Sequence, residues 1–296
     1  CGETETQLFE SDEGFCRSTG IVSGRITYGT GTAVMDARVS LVKNSENAGD
    51  VAQFYAVSTQ EAGDGLFLDL DGKVLNEKFK DKDFSVQMFV RPNVEQNANS
   101  PVFFDLGSQL SLRLGERTDA GYELLLVQGT NTESTGITLP TREYTSLTLS
   151  VSKGSTAQLT AIDKLDSIVV SKEIALSPIT FDAGAKSGLC MGGSYAFNTD
   201  NAFSGYVDEM RVFCGKALTN AEILKYYNHM LAGTEDNLFA YWPVDEGISG
   251  QTNAYDYSKT SGVANSNHAR FGGVKTVVTS TVVPESTQLA LFGYTD

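Results

Sequence analysis

The segment Ser194-Tyr-Ala-Phe-Asn-Thr-Asp-Asn201 carries the residue types that sugar recognition uses. Tyr195 and Phe197 offer flat apolar faces, and Asn198, Asp200 and Asn201 interleave them with hydrogen-bonding groups. The same composition also serves as an ordinary loop between paired strands. Carboxylates at hydrolytic spacing are missing. Retaining glycoside hydrolysis needs two carboxyl groups about 5 Å apart, which along one strand face means Glu-x-Asp-x-Glu or Glu-x-Asp-x-x-Glu. No such run occurs. The nearest, Asp69-Leu-Asp71 and Asp163-x-x-Asp166, lack a Glu partner and fall where turns are expected, and Asp245-Glu246 before Gly247 reads as a turn. No Gly-x-Ser-x-Gly elbow is present, and neither His229 nor His268 stands in a motif with a Ser or Cys. A non-catalytic recognition role is therefore expected.

The elements that hold such residues read as strands. At 296 residues the chain has room for one large sandwich of roughly 200 residues and a smaller unit. Only 20% of residues are charged, while 29 Gly, 12 Tyr and 16 Phe suit short strands joined by tight turns. Phe84 to Pro92, Val102 to Leu106, Leu110 to Leu114, Tyr122 to Val127, Ser146 to Val151, Ala157 to Asp163 and Ser167 to Val170 all alternate apolar and polar side chains. Their spacing suits a two-sheet jelly roll. A longer strand through Tyr206 to Phe213 sets Tyr206, Met210 and Val212 against Val207, Arg211 and Phe213, with Asp208 and Glu209 between. A helix then opens at Thr219, with Glu222 at capping-box distance. Trp242, the only tryptophan, lies in an apolar strand and reads as core.

The charge balance narrows the partners. A net charge of −15 argues against nucleic acid, which needs clustered Lys and Arg. It is compatible with neutral glycans, with Ca²⁺ and with plain solubility. No run of about 18 apolar residues is present, so no membrane-spanning segment is expected. An extracellular or cell-surface location is expected, with any export signal upstream or removed. The absence of an Asn-x-Ser/Thr sequon leans towards a bacterial source.

Gly205-Tyr-Val-Asp-Glu-Met-Arg-Val followed by Ala217-Leu-Thr-Asn-Ala-Glu-Ile resembles the closing strand and helix of the laminin-G-like, concanavalin-A-like jelly rolls. Phe84-Ser-Val-Gln-Met-Phe-Val-Arg-Pro92 resembles an opening strand of that family, and the likeness spans about residues 54 to 232. Asn237-Leu-Phe-Ala-Tyr-Trp-Pro-Val-Asp-Glu-Gly247 with Tyr255-Asp-Tyr-Ser258 is similar to a strand and turn of the same modules, read here as packed back on the domain. Ser23-Gly-Arg-Ile-Thr and Ala37-Arg-Val-Ser-Leu resemble the first hairpin of carboxypeptidase-regulatory-like, immunoglobulin-like domains. Thr295-Asp296 looks like the start of a later turn of that family.

These likenesses imply an all-β fold: a concanavalin-A-like sandwich with a partial immunoglobulin-like domain. The expected division is a segment at 1–20, an immunoglobulin-like hairpin at 21–46, the jelly roll at 47–275, and a return to the smaller domain at 276–296. In related jelly rolls the Asp of the Gly-x-(Ile/Val)-Asp strand often binds structural Ca²⁺, which points to Asp208. Asp64, in the Gly-rich turn Gly63-Asp-Gly65, is the expected co-ligand, since Ca²⁺ takes six to eight oxygens. The family often carries a disulfide near this end, and Cys190 and Cys214 lie in segments that read as neighbouring strands. That pairing leaves Cys1 with Cys16, although four cysteines allow three connectivities and Cys1 is alternatively a lipidated first residue. The implied role is a module of a repetitive surface adhesin that contacts a glycan, a surface protein or neighbouring repeats. The competing reading is a carbohydrate-binding accessory module of a polysaccharide-acting enzyme.

Overall fold

The computed structural model describes residues 7–8, 21–22, 55–59, 63–163, 166–196, 199–227, 231–243, 253–258, 267–272 and 275–278. In chain order the strands begin with β1 (Gln7–Leu8), β2 (Ile21–Val22), β3 (Tyr55–Thr59) and β4 (Gly65–Asp71), followed by helix α1 (Gly72–Phe79). Next come β5 (Phe84–Pro92), β6 (Val102–Leu106), β7 (Leu110–Thr118), β8 (Gly121–Gln128), β9 (Asn131–Leu139), β10 (Thr145–Ser152) and β11 (Thr156–Ile162). Then follow β12 (Ile168–Val170), β13 (Ile174–Ala175), β14 (Lys186–Met191), β15 (Gly205–Cys214), helix α2 (Asn220–Tyr226), β16 (Leu238–Trp242), β17 (Asn253–Ala254), β18 (Ala269–Gly272) and β19 (Lys275–Val278).

Among the described residues the strands form two large antiparallel sheets. One runs β12-β11-β10-β5-β15-β3-β19, with β13 beside β11 and β16 beside β15; the other runs β17-β18-β4-β14-β6-β7-β8-β9. The expected jelly-roll sandwich is the fold observed. Alternation builds its core. Leu147, Leu149 and Val151 of β10 face inward, while Thr148 on the opposite face accepts a hydrogen bond from Gln87 Nε2 at 3.0 Å. Leu66 and Leu68, Leu112 and Leu114, Leu124 and Leu126, and Leu189 and Met191 close the core from the second sheet. Each such side chain contributes about 1.5–3 kcal/mol by leaving water. Trp242 is buried in this core and donates its indole N–H to the Asn267 carbonyl at 2.9 Å.

The facing expected for β15 is corrected by a β-bulge. Asp208 pairs with Phe89 but Arg211 with Gln87, so two residues of β15 oppose one of β5, and Glu209 takes a left-handed φ of 49°. Val207, Met210 and Val212 therefore share the core face, and Asp208, Glu209, Arg211 and Phe213 share the outer one. The extra residue keeps Glu209 out of the core. On that outer face Phe213 joins Leu218, Ile223, Tyr227, Leu238 and Tyr241 in a second apolar cluster beneath α2. The helix starts at Thr219 as read from the sequence: Thr219 Oγ1 accepts from the Glu222 N–H, and Glu222 accepts from the Thr219 N–H.

Strand β9 and helix α1 were among the elements not legible in the sequence. Strand β9 buries only Thr135, Ile137 and Leu139, and its first four residues are exposed, so its pattern is mostly polar. Helix α1 follows β4 directly, with only Gly72, Leu75 and Phe79 buried. The boundary expected at 275/276 falls inside β19, which pairs with β3 of the large sheet. Most of the immunoglobulin-like hairpin expected at 21–46 lies outside the described residues.

Candidate functional site

The outer face of the β17-to-β9 sheet carries a line of side chains set by register. Arg270 pairs with Phe67, Phe67 with Cys190, Cys190 with Asp105, Asp105 with Ser111, and Ser111 with Val127. All point away from the core because their strand neighbours point into it. The line crosses beneath the segment after β14, where the sugar-binding composition was read.

Asp105 fastens that segment. One carboxylate oxygen accepts from the Ser108 N–H at 2.8 Å; the other accepts from the Tyr195 N–H at 2.9 Å and the Ser194 hydroxyl at 3.0 Å. The residue is buried, so these bonds replace the water its charge gives up. Glycine lets the segment lie close: Gly192 has φ of 81°, and a Cβ on Gly188 would stand 1.9 Å from the Leu68 carbonyl and 2.8 Å from the Tyr195 ring.

Tyr195 thus lies over Gly188 and beside Asp69, the register partner of Gly188. Its hydroxyl donates to Asp69 Oδ1 at 2.9 Å, and its ring meets Phe67 edge to face at 6.1 Å. From the other side Arg270 donates to both oxygens of Asp69, at 2.6 and 3.2 Å, and stacks 4.4 Å from the Phe67 ring centre. Burial opposes the Asp69 charge, but the bonds from Arg270 and Tyr195 outweigh it and hold the carboxyl below its ordinary range. Burial and the bond to Asp69 push the Tyr195 phenol up to about 12. The result is a fixed aromatic edge with an engaged carboxylate and guanidinium at its rim.

Next to this cluster the same face opens into a small cleft of about 100 Å³. Asp105, Ser108, Ser111, Arg113, Ser194 and Asn201 line it. Arg113 projects from β7 between its register partners Val102 and Leu125. Its Nε is buried and has no hydrogen-bond partner among the described residues.

Of the expected sugar-binding residues, Tyr195 sits on this face and Asn201 at the cleft. Asp200 is exposed in a short 3₁₀ turn, Thr199–Asn201, and its carbonyl accepts from the Ser100 N–H at 3.0 Å. Phe197 and Asn198 lie outside the described residues. Asp69, Asp105, Arg113 and Arg270 were not read as site residues. Their common face depends on strand order, although their outward positions follow from alternation.

The expected Ca²⁺ ligands, Asp208 and Asp64, are carried by different sheets. Asp208 is buried on the outer face of the other sheet, accepts from the Glu209 N–H at 2.8 Å, and lies near Tyr144. Asp64 precedes β4 in the cleft-bearing sheet. Among the described residues no three His, Cys, Asp or Glu side chains gather to hold a metal ion. The pairing expected of Cys190 and Cys214 is corrected: both are free thiols. They stand on β14 and β15, which belong to opposite sheets rather than being neighbours. Burial raises both thiols, Cys214 to about 12. Cys1 and Cys16 lie outside the described residues.

Of the acids weighed for hydrolysis, Asp69 is engaged as above, and Asp163 accepts from the Ser167 N–H at 2.9 Å in a turn. Asp245 and Glu246 lie outside the described residues.

Comparison with known families places this sandwich. A profile of the concanavalin A-like lectin/glucanases superfamily, of laminin-G type, matches residues 71–224, just over half the chain. The chain belongs to the concanavalin A-like lectin/glucanase superfamily. The matched stretch of this concanavalin A-like chain runs from the end of β4 into α2 and so holds Asp105, Arg113 and Tyr195. No curated protein matches it. Among solved structures it is similar to a candidate carbohydrate-binding protein from Bacteroides ovatus ATCC 8483, at 13% identity and a TM-score of 0.56, covering 82% of this chain and 67% of that one. A heptameric SAP-like pentraxin from Limulus polyphemus also matches, at 11% identity and a TM-score of 0.45, covering 79% of this chain and 99% of that one. Among the described residues of this concanavalin A-like chain no helix is long and apolar enough to cross a membrane.

Proposed function

We propose that this chain is a non-catalytic carbohydrate-binding module and that the glycan lies on the outer face of the cleft-bearing sheet, against Tyr195 and the cleft beside it. The observation that carries the reading is the Tyr195 ring, fixed by Gly188, Phe67 and Asp69 next to a polar cleft. Pyranose recognition needs this combination of a held aromatic surface and convergent polar groups. The carboxylates at hand are poor acid–base groups. Asp69 is held ionised by Arg270 and Tyr195, and both oxygens of Asp105 are engaged by loop donors. Fold likeness to the candidate carbohydrate-binding protein of Bacteroides ovatus supports the class by analogy.

The setting we infer is an extracellular or cell-surface protein, an adhesin being the first choice and the accessory module of a polysaccharide-acting enzyme the second. A glycan array followed by calorimetry tests the binding reading. Wild-type chain should bind at least one oligosaccharide, and Tyr195→Ala should weaken that binding about tenfold, the scale of one lost stacking and hydrogen-bonding contact. Release of new reducing ends from a polysaccharide panel would contradict the non-catalytic reading. Absence of binding on the array would contradict the module itself.

A further inference from the structure

We propose that the cleft beside Tyr195 takes a sugar that carries a carboxylate, a uronic or nonulosonic acid unit, with the Arg113 guanidinium as its anchor. The inference rests on the reading of this face as a glycan surface and specifies the ligand's chemistry. In a chain of net charge −15, a guanidinium lining a cleft ordinarily finds an acid of its own. Three other arginines show this: Arg211 meets Glu209 at 2.7 Å, Arg117 meets Glu95 at 2.9 Å, and Arg270 meets Asp69 at 2.6 Å, while Arg91 is covered by the rings of Tyr144 and Tyr206 at 5.0 and 4.3 Å. Arg113 has no such pair among the described residues, and its Nε is buried without a partner. Its guanidinium lines the cleft and is the cation there left for a ligand.

The surroundings choose the acceptor. Asp105, the acid in the cleft, has both oxygens engaged by the Ser108 N–H, the Ser194 hydroxyl and the Tyr195 N–H. It serves the loop rather than Arg113. The remaining polar lining is neutral: Ser108, Ser111, Ser194 and Asn201. Hydroxyl and amide groups around one guanidinium suit a sugar acid, whose carboxylate takes the two terminal N–H groups as a fork while its ring hydroxyls meet the neutral groups. The volume of about 100 Å³ admits the carboxylate and part of one ring, which leaves the rest of the glycan to lie over the sheet towards Tyr195.

The test measures binding of sialyllactose and of tri-galacturonate by calorimetry, each against its methyl ester, with lactose and cellotriose as neutral probes. One acid should bind more tightly than its ester, and which of the two does so identifies the source of the carboxylate. Arg113→Ala should weaken that binding about tenfold or more, and Arg113→Lys should fail to restore it, because an ammonium keeps the charge but not the fork. Thermal melts of both variants report folding; should Arg113→Ala not fold, the ester comparison and Arg113→Lys decide. Equal binding of acid and ester, or wild-type affinity in Arg113→Lys, would overturn the inference. Binding of the neutral probes alone, lost in Tyr195→Ala and kept in Arg113→Ala, overturns it while leaving the carbohydrate-binding reading intact. Wild-type chain that binds none of the probes or any array glycan overturns both.

Discussion

Glu209 and Arg211, two residues apart on one strand, meet at 2.7 Å with side chains 2% and 0% exposed. The pair is part of a larger network. Tyr241 donates its hydroxyl to Glu209 at 2.8 Å, and Arg211 donates to Gln87 Oε1 at 2.7 Å and to the Tyr226 carbonyl at 2.6 Å. The network therefore ties β15 to β5, to β16 and to the end of α2. Burial works against the Arg211 charge, but Glu209 and Tyr241 outweigh it and raise its pKa further. Removing one partner of such a buried pair leaves the other uncompensated. Glu209→Ala should destabilise the fold by about 3–5 kcal/mol, whereas Glu209→Leu combined with Arg211→Met should cost less. Urea denaturation of both variants measures this. A double variant as unstable as the single one would show that the stranded charge is not the cause.

The strand containing this pair also shows how far the sequence could be read. Its family likeness, its helix cap at Thr219 and the burial of Trp242 were legible because each is a local pattern. Its facing was not. Val207 and Met210 are three residues apart and share the core face only because Glu209 adopts a left-handed φ, which L-residues other than Asn, Asp and Gly seldom take. Alternation alone puts Met210 on the face of Tyr206. Cys190 and Cys214 failed for a related reason: both are on strands, as read, but strand order, not strand identity, decides which cysteines meet. Strand order also hid the site. Asp69, Asp105, Arg113 and Arg270 come from four strands, and the outward position of each gave no sign that the four share one face.

The helix cap yields a pH dependence whose sign is fixed. Lys216 lies 2.5 Å from Glu222 Oε1, and the Thr219 N–H and hydroxyl donate to Oε2 at 3.0 and 2.9 Å. These contacts hold the Glu222 carboxyl down at about 2, from an ordinary 4.5. Because the folded-state value is the lower one, the stabilisation is complete above the unfolded value and fades as pH falls from 4.5 towards 2. The side chain is partly exposed, so solvent screening limits the pair to about 0.5–1 kcal/mol. Glu222→Gln should therefore melt below wild type at pH 7, and most of the gap should be gone by pH 2.5. Parallel calorimetric melts across that range check it, and a gap that persists unchanged in acid would contradict the assignment.

Asp105 gives the strongest test of how the site is built. Its carboxylate is the common acceptor for Ser108, Ser194 and Tyr195, and Tyr195 in turn positions its hydroxyl on Asp69. Asp105→Ala removes the acceptor from three donors at once. Water reaches some of them once the segment loosens, so the expected loss is about 2–4 kcal/mol rather than the full sum of three charged hydrogen bonds. Asp105→Asn keeps one oxygen and should lose less. The local consequence separates fastening from general stability. In Asp105→Ala the Tyr195 amide should exchange with solvent much faster than amides of the core strand β10, whose hydrogen bonds to β5 and β11 do not involve Asp105. Glycan binding should fall together with the protection of that amide. Unchanged exchange at Tyr195 would mean that Gly188 and Phe67 hold the ring unaided, and that Asp105 serves only the turn at Ser108.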